Sequence, residues 1–338
     1  MTRNSLPISN ALGKRWLRSA QKDSASFPGI SATRQMLRKR ILRYRTLYLF
    51  LVPAIIVVLV FSYVPMIGLI MAFQEYDIVN GMFRSPFVGL ANFRALLRDS
   101  GFYRALRNTL AINGLYILIG FTLPVALAIL IFGMRDSVFK RVTQTITYLP
   151  HFVSWVAIAG IVYKLLDQHT GLVNVVLKAI GQQTVPFMRK PDYFWWITII
   201  VAIWKELGWD TIIYLAALSG IPPEQYEAAI VDGASSFQQL IYITLPSIAP
   251  TVALMLIFAV GNMVSTNSPI SFDAIYNLRN AMVSTKSDTL DYYIYQQGIM
   301  KVRYGFATAM GLFRGLVALL LVMGTNALSR RIRKFGAF

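Results

Sequence analysis

The sequence predicts an all-α integral membrane protein with six transmembrane helices, and three observations carry that expectation. Of its 338 residues, 56% are apolar and only 14% charged, where a soluble domain carries roughly 25% charge. The intervals Arg45 to Glu75, Arg107 to Arg135, Arg141 to Lys164 and Asp232 to Asp273 contain no Asp, Glu, Lys or Arg between their ends. Each exceeds the about 20 residues that a bilayer-spanning helix needs. Lys and Arg also alternate in density between successive flanks. Together with a mean hydropathy of +0.53, these features exclude a soluble enzyme, a disordered chain and a secreted disulfide scaffold.

The spans follow in order as 47–73, 107–133, 143–166, 194–218, 248–267 and 305–328. Cytoplasmic flanks are enriched in Lys and Arg. The arm 1–46 holds eleven, segment 134–142 three and the tail 329–338 four, whereas segments 74–106, 168–193 and 268–304, each longer than the last two of these, hold only four, three and four. Both termini and segments 134–142 and 219–247 are therefore predicted cytoplasmic. Segment 219–247 departs from the rule, because it has no Lys or Arg and carries Glu224, Glu227 and Asp232. A cytoplasmic loop of that composition is shaped for a partner rather than for anionic headgroups.

A net charge of +18 raises the question of nucleic acid. Arg34, Arg38, Lys39, Arg40, Arg43 and Arg45 crowd the start of the first span, where they anchor it to anionic lipid, so no nucleic-acid partner is expected. The arm is not read as a cleavable signal, since its apolar run is too long and too far from Met1. Without cysteine, and with only His151 and His169, neither a thiolate nor a histidine metal site is expected.

The segment 222–246 reads PPEQYEAAIVDGASSFQQLIYITLP. Pro223 suits a first helical turn, and Glu224 and Glu227 favour its positive end. Tyr226, Ala229, Ile230 and Gly233 form one stripe. Gly233 permits a turn, Ser235 or Ser236 can cap a second short helix over 237–244, and Leu245-Pro246 returns the chain to the membrane. The predicted product is a helix–turn–helix, small and acidic on its exposed surface.

On this segment the sequence resembles a known family. Glu227-Ala228-Ala229, Gly233 and Ile243-x-Leu245-Pro246 match, at every defined spacing, the EAA loop of the permease subunits of binding-protein-dependent ABC importers. VGLANF (88–93), TYLPHFVSW (147–155), IWKELGWDTIIYLAAL (203–218) and FATAMGLF (306–313) look like the carbohydrate-uptake, maltose-permease-like permeases, in the LplB-like branch. The resemblance runs from about 44 to 335. It implies a type I importer permease fold, with a six-helix permease domain 47–328 and a coupling loop 219–247. The basic cytoplasmic arm 1–46 and the basic tail 329–338 are read from the charge count, and the resemblance says nothing of residues 1–43.

The same resemblance implies partners: a second homologous permease, two cytoplasmic ATPase subunits seated on the loop, an extracytoplasmic solute-binding protein and an oligosaccharide substrate, in a bacterial inner membrane. Glu224, Tyr226, Glu227, Ala228, Ala229, Asp232, Gly233, Ile243, Leu245 and Pro246 would form the ATPase contact. No cofactor is expected on this chain. ATP and Mg belong to the ATPase, because the only Gly-Lys pair, Gly13-Lys14, has Ile8 and Arg15 where a phosphate-binding loop needs Gly and Ser or Thr.

Ionisable groups inside spans are costly and mark function. The fourth span places Lys205, Glu206 and Asp210 near its middle, with Trp209 and Tyr214 nearby. Aromatic walls with convergent carboxylates suit sugar recognition, so Glu206, Trp209, Asp210 and Tyr214 are candidates for the translocation path, with Asn262 and Arg314 beside them. The alternative is a Lys–Glu–Asp network that only fixes helix packing or a kink; Arg314 could equally pair with Glu206 or Asp210, or sit near the cytoplasmic end of its span. His151 is read as a polar residue at a broken helix, and Asp273, Asp288, Asp291, Tyr292, Tyr293 and Tyr295 as an outward docking surface. No catalytic residues are expected. Rival readings are an importer of glycerol phosphates or peptides and an ion-gradient-driven transporter, the latter weakened by the absence of an internal repeat.

Overall fold

A computed structural model describes residues 44–266 and 268–333. Most of the arm 1–46 and the last part of the tail 329–338 lie outside the described residues. Among the described residues there is no strand, only an isolated antiparallel bridge between Gln74 and Phe87. The chain divides into two units, one ending at Ile67 and the other starting at Gly68.

Within the first unit, helix Arg45–Val58 runs into a π-helical turn, Leu59–Tyr63. No residue of either is buried, and Pro53 sits inside the helix, a placement spanning helices tolerate.

In the second unit the central element is helix Pro191–Ser219, opened by Pro191 at its first position. Its 29 residues span about 43 Å at 1.5 Å per residue. Phe194, Ile199 and Ala202 at one end join a core with Ile112, Ile158, Val162 and Ile275. Tyr214 and Leu218 at the other end join a second core with Ala128 and Ile248. A third core, built on Leu96, Phe102, Leu290, Phe306 and Met310, lies outside this helix.

Midway, the helix meets the end of Val138–Tyr148 at Gly208. A Cβ there would lie 2.9 Å from the Tyr148 nitrogen and closer still to the backbone of Thr147. Only a residue without a side chain allows these two backbones to approach so near.

Among the described residues, four helices are long and apolar enough to cross a membrane: Arg45–Phe73, Ser100–Gly133, Ser236–Asn262 and Tyr304–Arg330. Two of the predicted spans need correcting, and a third falls outside the apolar set. The third is not one straight helix, because Val138–Phe152 and Trp155–Leu165 meet at 100°. Pro150 withdraws an N–H from the ladder, Val153 is extended, and Ser154 restarts the helix by accepting from the Ala157 N–H. The fifth is longer at its start and ends at Asn262 rather than 267. Helix Ser236–Gln239 passes through a π turn, Leu240–Thr244, directly into Leu245–Asn262, so the separate helix expected over 237–244 does not exist. The fourth, Pro191–Ser219, has the length, but Lys205, Glu206 and Asp210 keep it outside the apolar set.

Candidate functional site

The charged middle of Pro191–Ser219 packs against the corner of the bent span. Glu206 Oε2 lies 2.7 Å from His151 Nδ1, and Glu206 Oε1 lies 3.4 Å from Lys205 Nζ. Lys205, itself buried, donates to the His151 carbonyl, which the Pro150 break leaves without a helical partner. The imidazole of His151 lies flat on Trp209, centroids 4.2 Å apart and planes 4° from parallel, and Phe152 meets Trp209 edge-on at 5.8 Å. Trp209 is thus held by His151 rather than by Lys205, whose ammonium stands 6.0 Å over Trp155 instead. Two polar contacts, Glu206 to His151 and Lys205 to the His151 carbonyl, and two aromatic contacts lock helix and corner together.

Above this joint lies a cavity of about 540 Å³ lined by Phe152, Trp155, Glu206, Trp209, Asp210 and Asp273 among others. A second cavity of about 200 Å³ is lined by Asn113, Tyr116, Asp210, Tyr214 and Asn262. Asp210 borders both, together with Ser268 and Pro269. No hydrogen bond or ion pair among the described residues engages its carboxylate. Five of the six residues expected on the translocation path therefore line one or other of these two cavities, which share Asp210.

Arg314 does not. It is ion-paired with Asp291, away from Glu206 and Asp210, because helix Tyr304–Arg333 packs with Leu290–Tyr295 around the third core. Burial pushes the Asp291 carboxyl above its usual range, and Arg314 opposes that rise. No group of three or more His, Cys, Asp or Glu among the described residues could hold a metal ion.

Other groups expected on an outward docking surface are inside. Asp288 is buried, with Arg279 Nη2 at 3.0 Å and Arg104 Nη2 at 3.9 Å from its carboxylate, and Tyr293 is buried with its hydroxyl donating to Asp99 at 3.0 Å. Asp273 is exposed. Asn113 and Tyr116 were not anticipated in the cavity wall. Their sign in the sequence is a polar residue inside a charge-free run, the same signal that marked Asn262.

The loop 219–247 folds as two helices about a sharp turn. Pro223–Val231 is closed by Gly233 at φ +78°, whose N–H reaches Ile230 O at 3.0 Å while that of Ala234 reaches Ala229 O at 2.8 Å. Ser235 opens the next helix with a reciprocal capping box, Gln238 N to Ser235 Oγ at 3.3 Å and Ser235 N to Gln238 Oε1 at 2.7 Å. Tyr226 and Thr244 hydroxyls, 3.0 Å apart, tie the two arms, and Ile243 packs on the core around Leu218 and Ile248.

Glu224, Glu227, Ala228, Asp232, Gly233, Leu245 and Pro246 are exposed, while Ala229 is half-buried. The exposed face is not only small and acidic, however. Ile230, Val231, Phe237 and Tyr242 are also open to solvent, Val231 at 87%. Clustered apolar exposure of this kind is found at surfaces that contact either another protein or the membrane.

A family model described as "Binding-protein-dependent transport system inner membrane component" matches residues 120–334. The chain is similar to protein LplB of Bacillus subtilis (strain 168), 36% identical over 88% of this chain and 92% of LplB. It is also similar to the polygalacturonan/rhamnogalacturonan transport system permease protein YteP of the same organism, 35% identical over 90% and 94%. Among solved structures it superposes with TM-score 0.80 and 41% identity, over 88% of this chain and 100% of the other, on a chain of a bacterial ABC transporter involved in the import of the acidic polysaccharide alginate. The same similarity holds to that transporter in complex with an alginate pentasaccharide-bound periplasmic protein.

Proposed function

The chain belongs to the family of binding-protein-dependent transport system inner membrane components, and from that premise we propose that it forms half of the pore of an ATP-driven oligosaccharide importer. The observation that carries the reading is the capped helix–turn–helix at Gly233. It exposes carboxylates and apolar side chains at one end and continues without a hinge through Leu240–Thr244 into the span Leu245–Asn262. Such an element can seat on a cytoplasmic ATPase and transmit its movement to the membrane region. The chain then spans six times, the bent pair and Pro191–Ser219 each counting once, with both termini cytoplasmic.

A second, homologous permease supplies the other half of the pore. ATP and Mg reside on two ATPase subunits, and a solute-binding protein delivers substrate from outside. The substrate class follows from the relatives: one is a polygalacturonan/rhamnogalacturonan permease and one structure is an alginate importer. Asp210, which has no hydrogen-bond or ion-pair partner among the described residues, and Trp209 offer a hydroxyl acceptor and an aromatic wall in the cavity. Transport proceeds by alternating access without covalent chemistry on the sugar.

ATP hydrolysis by the complete complex in nanodiscs, with its binding protein and a panel of neutral and uronate oligosaccharides, tests this directly. Stimulation by one saccharide class, only when binding protein is present, is the expected result. A complex that hydrolyses ATP yet ignores every saccharide would remove the substrate assignment. Replacing Asp210 with Asn is expected to lower the transport rate at least tenfold while leaving the joint of Glu206, His151 and Lys205 folded. Unchanged uptake by this variant would reduce Asp210 to a packing residue.

A further inference from the structure

Outside the cavity stands a cluster of four aromatic rings that the proposed mechanism does not use. Phe272 and Tyr276 are 5.3 Å apart, Phe272 and Tyr295 5.3 Å, Tyr276 and Tyr295 5.7 Å, and Tyr292 lies 6.2 Å from Tyr295. The rings are not equivalent. Tyr292 has one face covered by the Arg279 guanidinium at 3.9 Å, and its hydroxyl accepts from Arg279 Nη1 at 2.6 Å. Arg279 is fixed in turn by Asp288. Tyr276 is the outermost, 48% exposed, and is backed by the other three. A tyrosine in that state is a rigid, amphipathic surface already ordered before any ligand arrives, so little side-chain entropy is lost on stacking.

The position of Tyr276 gives the cluster its meaning. Helix Phe272–Leu278 holds Asp273 and Tyr276 three residues apart, hence on one face. Asp273 is exposed and lines the cavity of about 540 Å³. Its neighbour Asn277 bonds the Asp273 backbone carbonyl at 2.8 Å, and no hydrogen bond or ion pair among the described residues engages the carboxylate. A path therefore runs from Trp209 and Asp210 past Asp273 to Tyr276. The cavity has the volume of a pocket for a single drug-sized ligand, so a chain of several sugar rings extends beyond it.

Resting on the importer reading above, we propose that Asp273 and Tyr276 form an outer saccharide subsite. Tyr276 stacks on the C–H face of a sugar ring that protrudes from the cavity, and Asp273 accepts hydrogen bonds from its hydroxyls. The subsite gives the pore a preference for longer oligosaccharides.

The test compares ATP hydrolysis of the reconstituted complex, stimulated by binding protein loaded with a two-ring or a five-ring oligosaccharide. Tyr276→Ala is expected to raise the half-maximal concentration for the five-ring substrate about tenfold, a stacking contribution of ordinary size. The two-ring substrate should shift by less than twofold. Tyr276→Trp keeps a stacking face and should behave as wild type, which separates loss of the ring from loss of the fold.

Equal shifts for both lengths would overturn the proposal and make Tyr276 a contact for the binding protein. No shift for either would overturn it as well. A wild-type complex indifferent to every saccharide would remove the importer reading and this subsite together, an outcome visible before any variant is made.

Discussion

Substituting alanine for Gly208 is expected to destabilise the protein more than any other single-methyl addition in it. The new Cβ meets backbone atoms of Thr147 and Tyr148, which cannot rotate aside as a side chain would. Overpacking against rigid neighbours costs about 3 kcal/mol. The strain falls between the residues that make the joint, because Lys205, Glu206 and Trp209 flank Gly208 on one side of the contact and His151 follows Thr147 on the other. Separation of the two segments therefore also parts His151 from Glu206 and leaves Lys205 buried without its acceptor. Thermal unfolding of the purified chain in nanodiscs reads the effect. Gly160→Ala is the control, since a Cβ at Gly160 meets nothing within 4 Å. A Gly208→Ala melting temperature equal to that of Gly160→Ala would mean that the two backbones do not touch.

The second large effect concerns the loop. Gly233→Arg is expected to lower saccharide-stimulated ATP hydrolysis more than tenfold while the subunit still inserts and pairs. Gly233 has φ +78° and open space around its Cα, so an added side chain fits sterically and the backbone cost is about 1–2 kcal/mol. That is too little to unfold two helices tied by the Tyr226–Thr244 hydrogen bond, the second of them opened by its own capping box. What changes is the surface: a long cation projects beside Glu227 and Asp232, where a basic groove of the partner would have to seat. Asparagine tolerates the same conformation without projecting, so Gly233→Asn should retain most of the coupling. Equal loss in both variants would assign the effect to the turn itself. Full activity of Gly233→Arg would take the ATPase contact elsewhere.

Hydrophobic run length made the helical membrane architecture legible, and Pro, Ser and Gly made the loop legible. Pro223, Gly233 and Ser235 each act through backbone geometry local to a few residues, which is why their positions in the fold match their reading in the sequence. The bend at Val153 was half legible, since Leu149-Pro150-His151 signalled a break but not its 100° angle. What escaped was set by contacts between distant segments. The flat stacking of His151 on Trp209 joins residues from two spans, and no periodicity within either announces it. Arg314 was misplaced for the same reason: an intramembrane arginine seeks a carboxylate, and the sequence offers Glu206, Asp210 and Asp291 without ranking them. The packing of Tyr304–Arg333 on Leu290–Tyr295 decides it.

The joint at His151 also bears on how the chain enters the bilayer. Each ionised side chain at the centre of a helix opposes insertion by about 3 kcal/mol, and Pro191–Ser219 carries three of them in its middle. Delivered singly, it is a poor candidate for lateral release into lipid. By the time its residues leave the ribosome, however, Val138–Leu165 has already been synthesised, and with it the imidazole that meets Glu206 and the carbonyl that meets Lys205. Insertion of Pro191–Ser219 is then expected to require the earlier segment beside it, and deleting Val138–Leu165 should lower the inserted fraction in a glycosylation-mapping assay. A chain whose segments were reordered would keep every hydrophobic stretch and lose the helix on which both cores depend.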